Sequence, residues 1–208
     1  MRVFESLPEE KRERIINAAL TAFAANGYKK TSVADIAALA GISKAMVFHY
    51  FGTKRDMYIY IVNLCGKMIS SAINDAMPQI ESESYSDFFE RMMITSKIKL
   101  DVMKANPAIM DFLTSMFMER NEEIRPFIDE MLKSYEPLRK QILHSGVHEY
   151  KFNNPADINR VEKMLSWMAN GCAQEWKGKP SDELDEIMSI FEDCMNALKN
   201  QFYKEEYL

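Results

Sequence analysis

The residues best able to do chemistry lie between Asp35 and Phe51, and the chemistry is recognition of a polyanion. Lys44, Ala45, Phe48 and His49 recur at three- and four-residue spacing, so on a helix they share one side. A basic side chain, a small one, an aromatic and an imidazole on that side suit contact with base edges and phosphates. Catalytic combinations are missing. There is no Gly-rich phosphate loop, no nucleophile elbow and no HExxH in the chain. His144 and His148 have i, i+4 spacing with Glu149 beside the second, but Gly146 interrupts them. A histidine at a helix C-terminus also simply complements the helix dipole. No catalytic residue, metal or cofactor is expected, and an enzyme is not the reading.

The elements that must position these side chains can be read from the same stretch. Ser32 and Asp35 have capping-box spacing and start a short helix that stops at Gly41. Ser43 caps the next helix, from Lys44 to about Tyr50. Ala37 is small where the two helices cross, and Gly41 supplies the left-handed turn four residues later. Ile36, Ala40, Ile42 and Val47 supply the apolar contacts that fix the crossing. This is the grammar of a helix-turn-helix, with 44–50 as the recognition helix. Ahead of it, Ser6–Glu9 caps a helix whose Ile15, Ile16, Ala19, Leu20 and Phe23 form an apolar face ending at Asn26-Gly27.

Charge supports a nucleic-acid partner. The whole chain carries -5. Residues 1–56 hold nine Lys and Arg against six Asp and Glu, a net of +3, and the remainder is -8. A basic segment on an acidic body points to a small N-terminal part that meets a polyanion.

Gly27-Tyr28-Lys29-Lys30-Thr31-Ser32-Val33, then Ile36-Ala37, Ala40-Gly41-Ile42-Ser43, Phe48-His49-Tyr50-Phe51 and Lys54, resembles the N-terminal signature of TetR-type transcriptional regulators. The matched block covers positions 27 to 54. Three positions depart from the family habit: Ala45 replaces a frequent Gly, Phe48 a usual Tyr, and Met57 a usual Leu. Phe48 can touch a thymine methyl but cannot donate to a phosphate. The resemblance implies an all-α protein with a DNA-binding domain at 1–53 and a larger helical domain at 54–208 that dimerises and holds an effector. It also implies a repressor, released from a palindromic operator by a small, largely apolar molecule. The DNA-binding residues are then Thr31, Ser32, Ser43, Lys44, Ala45, Phe48, His49, Tyr50, Thr53 and Lys54. Thr31, Ser32, Tyr50, Thr53 and Lys54 serve phosphates.

The rest of the chain reads as helices. It has 7 Gly and 7 Pro in 208 residues, against a usual combined share of about 12 %. Helical patterns run from 54 to about 77, then roughly 86–104, 107–119, 122–144, 155–176 and 182–204. With the first three helices that makes nine, without a strand or a repeat. Lys177-Gly178-Lys179-Pro180 closes the penultimate helix. Broad apolar faces on the last two helices make Met164, Met168, Cys172, Met188, Phe191, Met195 and Leu198 candidates for a two-fold dimer interface. The effector-pocket candidates are Phe88, Met92, Phe112, Met116, Met131, Tyr135 and Trp167. They come from a body rich in Met and aromatics, Trp176 among them, where adaptable side chains suit apolar ligands. Cys65, Cys172 and Cys194 lie far apart, as reduced thiols do. With no apolar signal region and no membrane-length run, the expected location is the cytoplasm.

Overall fold

A computed structural model describes residues 2–82, 85–176, 179 and 183–208. The proposed stop at Lys177-Gly178-Lys179-Pro180 lies, apart from Lys179, outside the described residues, as does the side chain of Trp176. The described residues form eleven α-helices and no strand; Phe152 and Tyr203 make one isolated antiparallel bridge. The helices are α1 (Arg2–Glu5), α2 (Glu9–Lys30), α3 (Val33–Ala40), α4 (Lys44–Phe51), α5 (Lys54–Ile80), α6 (Phe88–Ala105), α7 (Pro107–Met118), α8 (Arg125–Ser134), α9 (Glu136–His144), α10 (Asp157–Trp176) and α11 (Glu183–Phe202).

Two of the eleven go beyond the nine expected. The first is α1, a single turn whose Phe4 is completely buried. The second arises where one long helix was expected over 122–144 and the chain breaks at Tyr135. Pro137 explains the break. It has no N–H for the carbonyl four residues back, and its ring crowds that carbonyl. Pro is tolerated in the first turn of a new helix, so α9 starts at Glu136 instead. Gly27 bends α2 at φ 67°, ψ 177°, and helical turns continue to Lys30. Past Met77, α5 continues through Pro78 to Ile80.

The chain divides into two compact units. The first comprises residues 1–70 and 105–135, the second 71–104 and 136–208. All of 1–53 lies in the first unit, which also takes in residues placed in the expected second domain, 54–208.

The first unit is built on α2. Ile15, Ala19, Leu20 and Phe23 are buried, as the spacing requires. Against them lie α3 and α7, with the α2–α7 packing the most extensive among the described residues. Phe23 meets Tyr58 edge-on at 4.9 Å, and Tyr58 meets Phe112 at 5.4 Å. Ser115 donates to the Phe23 carbonyl at 3.3 Å, fastening α7 along α2.

In the second unit α10 and α11 pack together, with Val161, Leu165, Leu184, Ile187, Phe191 and Met195 buried. A separate aromatic cluster joins Phe88, Phe89, Phe152 and Tyr203. Beside it the buried Asp87 carboxylate accepts from the Phe89 and Glu90 N–H groups, capping α6. It also pairs with Lys151 and Lys199 at 3.2 and 3.4 Å. Burial of that charge is offset by these donors.

Candidate nucleic-acid interface

Ser32 sits at the N-cap of α3 with extended backbone. Its Oγ accepts from the Asp35 N–H at 3.1 Å, and Asp35 accepts from the Ser32 N–H at 3.3 Å. This reciprocal box satisfies two otherwise unpaired donors. At the other end Gly41 has φ 62°, ψ 38°. Its N–H donates to Ala38, and Ile42 N–H donates to Ala37 at 3.0 Å. That pair of bonds closes α3 and needs a left-handed residue at its pivot, which Gly provides without steric penalty. Arg14 from α2 donates to the Ala40 carbonyl at 2.9 Å, placing a cation at the negative end of α3.

Ser43 then caps α4 by accepting from Met46 N–H at 3.2 Å. The axes of α3 and α4 differ by 104°, within the range of a helix-turn-helix. The amphipathicity of α4 separates its roles. Val47, Tyr50 and Phe51 are buried, while Lys44, Ala45, Phe48 and His49 are exposed. Phe4 props the inner side, with its ring 4.6 Å from Phe51 and 5.9 Å from Tyr50. Tyr60 meets Phe4 edge-on at 5.4 Å. Sequence reasoning missed Phe4. The available signal was one large apolar residue in a polar N-terminal tail, just ahead of the Ser6–Glu9 cap.

The outer side carries Phe48 at 41 % exposure, with the Lys44 ammonium 5.8 Å from its ring. This exposed ring suits a surface that meets apolar groups such as thymine methyls. The arrangement as a whole can enter a groove and offer it a cation, an imidazole and an apolar tip.

Residues 15–61 match the family described as bacterial regulatory proteins, tetR family. That segment is a tetR-family DNA-binding region. Similarity extends beyond the matched segment. A fatty acid metabolism regulator protein from Bacillus subtilis (strain 168) is 25 % identical over 172 residues, covering 80 % of this chain and 83 % of that protein. The nucleoid occlusion factor SlmA of Vibrio cholerae is 22 % identical over 187 residues, covering 86 % and 93 %. A solved TetR-family transcriptional regulator from Chloroflexus aurantiacus J-10-FL superposes with a TM-score of 0.70 at 19 % identity over 99 % of each chain. The B. subtilis regulator FadR, solved in complex with stearoyl-CoA, gives a TM-score of 0.60 at 18 % identity over 86 % and 96 %. The helix-turn-helix of α3 and α4 lies inside the segment shared with these bacterial regulatory proteins.

Within and beside the matched segment the expected contact residues fall into two groups. Ser32, Ser43, Lys44, Ala45, Phe48, His49 and Thr53 are exposed. Three others are turned inward. Thr31 is buried, and its hydroxyl donates to the Ala22 and Gly27 carbonyls at 3.0 and 2.7 Å. Tyr50 is 4 % exposed, packed under α4. Lys54 is half-buried and donates to the Tyr28 and Thr31 carbonyls at 2.9 and 3.1 Å. Each was expected to reach a phosphate; here each holds the domain together. Thr53 caps α5 by accepting from Asp56 N–H at 3.0 Å, and its own hydroxyl donates to Asp56 at 2.6 Å.

The effector-pocket and dimer candidates also separate by surroundings. In the first unit Phe112 and Met116 are buried with the α2–α7 core, Met131 is buried, and Tyr135 is half-buried with its hydroxyl against Gly66. In the second unit Phe88 is buried in the aromatic cluster and Met92 is half-buried. Trp167 lies outside, 62 % exposed beneath the Lys163 ammonium. Of the dimer candidates, Phe191 and Met195 pack inside the unit, while Met164, Met168, Cys172, Met188 and Leu198 are half-buried. Among the described residues the large exposed apolar side chains on α10 and α11 are Trp167 and Ile190, 62 % and 54 % exposed. The candidate histidines face different partners. His144 lies 3.6 Å from both Glu149 and Glu162, and His148 meets the Tyr150 hydroxyl at 3.2 Å.

Proposed function

We propose that this chain is a ligand-responsive repressor that binds a palindromic operator as a homodimer and leaves it when a small, largely apolar effector binds the helical body. The observation that carries the reading is the division of α4. Val47, Tyr50 and Phe51 anchor it, while Lys44, Ala45, Phe48 and His49 stand free on the opposite side. Lys44, Ala45, Phe48 and His49 are the base-reading set, with Ser32 and Ser43 as the outward hydroxyls for phosphates; the Thr53 hydroxyl is already given to Asp56. Thr31, Tyr50 and Lys54 position this surface from within.

One such module offers a small interface, and a two-fold dimer would set two recognition helices about 34–36 Å apart on DNA. Trp167 and Ile190 favour α10 and α11 as the dimer face, since large exposed apolar side chains on neighbouring helices call for a cover. Met164, Met168, Cys172, Met188 and Leu198 would flank it. Similarity to a fatty acid metabolism regulator, and to a fold solved with stearoyl-CoA, supports an effector with a long apolar chain. Among the described residues no single helix is long and apolar enough to cross a membrane, which fits the cytoplasmic role proposed. Release needs the effector to favour the DNA-incompetent conformation by about 10⁴-fold for a nearly complete switch.

The test is a shift assay on a duplex selected by the wild-type chain from a random pool. At fixed salt, Lys44→Ala weakens binding while sedimentation still reports a dimer. Unchanged affinity would remove α4 as the recognition helix.

A further inference from the structure

Two phenylalanines stand three residues apart on α4 and have opposite surroundings. Phe51 is buried, with its ring 4.6 Å from that of Phe4. Phe48 is exposed, and the Lys44 ammonium stands over its ring at 5.8 Å. The backbone that carries Phe48 is fixed at both ends of the helix. Ser43 caps the start of α4, and the Gly52 N–H donates to the Phe48 carbonyl at 2.8 Å. The inward side of α4 is already filled by Val47, Tyr50 and Phe51. Phe48 is therefore an apolar ring that a rigid helix holds out to solvent, beside a cation.

The chemistry of that ring is narrow. Phenylalanine has no hydrogen-bond donor or acceptor, so it gains nothing from a phosphate or from a polar base edge. In the major groove guanine, adenine and cytosine present donors and acceptors, and thymine alone adds an apolar group, its C5-methyl. Over a thymine the ring and the methyl remove each other from water. Over a cytosine the same ring would shield the N4 amino group from water and return no hydrogen bond, which is unfavourable. The neighbours on the outward side do different work. Lys44 and His49 carry polar groups for acceptors, and Ala45 is short.

We propose that Phe48 reads the C5-methyl group of a thymine in each operator half-site and is the residue that separates thymine from cytosine there. The assignment rests on the DNA-binding reading above and deepens it, because it names the chemical group on the DNA that one side chain recognises. Lys44, one turn earlier and over the same ring, brings its charge to the groove together with the apolar tip.

The experiment is a shift assay at fixed salt with the full-length chain and a duplex that the wild type has selected from a random pool. Each thymine of the half-site is replaced in turn by deoxyuridine, which removes the methyl and keeps the O4 acceptor and the base pair. At one position the wild type is expected to lose about fourfold in affinity per half-site, the scale of one buried methyl group. In Phe48→Ala that loss disappears, so thymine and uracil duplexes bind alike there, and Phe48→Leu keeps part of it. Phe48 is exposed, so Phe48→Ala should melt like the wild type and sediment as the same oligomer. The proposal is overturned if no uracil weakens wild-type binding, if the loss persists undiminished in Phe48→Ala, or if that variant changes the oligomer and leaves the methyl effect intact. A wild type that holds the duplex, weakens with Lys44→Ala and ignores uracil would sink the thymine reading and leave α4 as the recognition helix. A chain that retains no duplex from the pool sinks both.

Discussion

Lys54 closes the end of the helix to which Tyr28 belongs: its ammonium donates to the Tyr28 carbonyl at 2.9 Å and stands 4.3 Å above the centre of that residue's ring. A second bond to the Thr31 carbonyl, at 3.1 Å, ties the segment leading into α3 to the start of α5. The Tyr28 N–H is held as well, by the Glu119 carboxylate at 2.8 Å. The turn that follows the kink at Gly27 is therefore held by charged groups brought from distant parts of the first unit.

This geometry separates Lys54 from Lys44. Replacing Lys54 by Met leaves two carbonyls without their charged donor and should cost about 1.5–3 kcal/mol of stability. It should not alter the salt dependence of DNA binding in the fraction that remains folded. Replacing a phosphate-contacting residue lowers the slope of log K against log salt by about 0.9. Thermal unfolding and a salt series of shift assays read both quantities. A reduced slope for Lys54→Met with unchanged melting would return this lysine to the DNA surface.

Tyr60 provides a test in the alkaline range. Its hydroxyl donates to Glu5 at 2.9 Å, and burial followed by the Glu5 bond pushes its pKa up to about 12. Tyr28 is raised to about 12 by burial and then by Glu123. Unfolded tyrosine titrates near 10. Between these values the folded chain keeps protons that the unfolded chain releases, so stability falls as pH rises. The contribution is fully present below about pH 10 and is lost progressively towards pH 12. Tyr60→Phe has no proton to lose, and its melting temperature should decline less steeply across that window than the wild type's. Identical slopes would mean that the Tyr60 hydroxyl is not held by Glu5.

The recognition surface was legible because every local signal agreed. Ser32 with Asp35, Gly41 and Ser43 are caps whose physics depends only on near neighbours in sequence. The inward and outward residues of α4 follow from helical spacing once those caps set its start. What remained hidden depends on distant partners. Nothing near Thr31 or Lys54 announces that their donors are taken by the Ala22, Gly27 and Tyr28 carbonyls. Phe191 and Met195 lie on an apolar stripe broad enough to serve either a core or an interface. Only the packing against α10 decides for the core. The break at Tyr135 follows from Pro137, which stops a helix even where the apolar period continues past it.

Gly66 and Tyr135 offer a test of packing within the first unit. A Cβ at Gly66 would stand 2.5 Å from the Tyr135 hydroxyl oxygen, 3.2 Å from Cζ and 3.4 Å from Cε2. Two effects oppose each other in Gly66→Ala. Alanine in a helix interior gains about 1 kcal/mol over glycine, whereas overpacking costs about 1–3 kcal/mol. The hydroxyl is the far end of a ring fixed at a chain break, so the steric cost should prevail and the variant should be less stable by about 1 kcal/mol. Removing only the hydroxyl with Tyr135→Phe takes away the closest contact and leaves the ring at a distance that small shifts accommodate. In that background Gly66→Ala should be neutral or stabilising, because only the helix-propensity gain remains. A double-mutant cycle in urea therefore gives a coupling of opposite sign to the single Gly66→Ala loss. Equal losses in both backgrounds would show that the Tyr135 hydroxyl does not rest on Gly66.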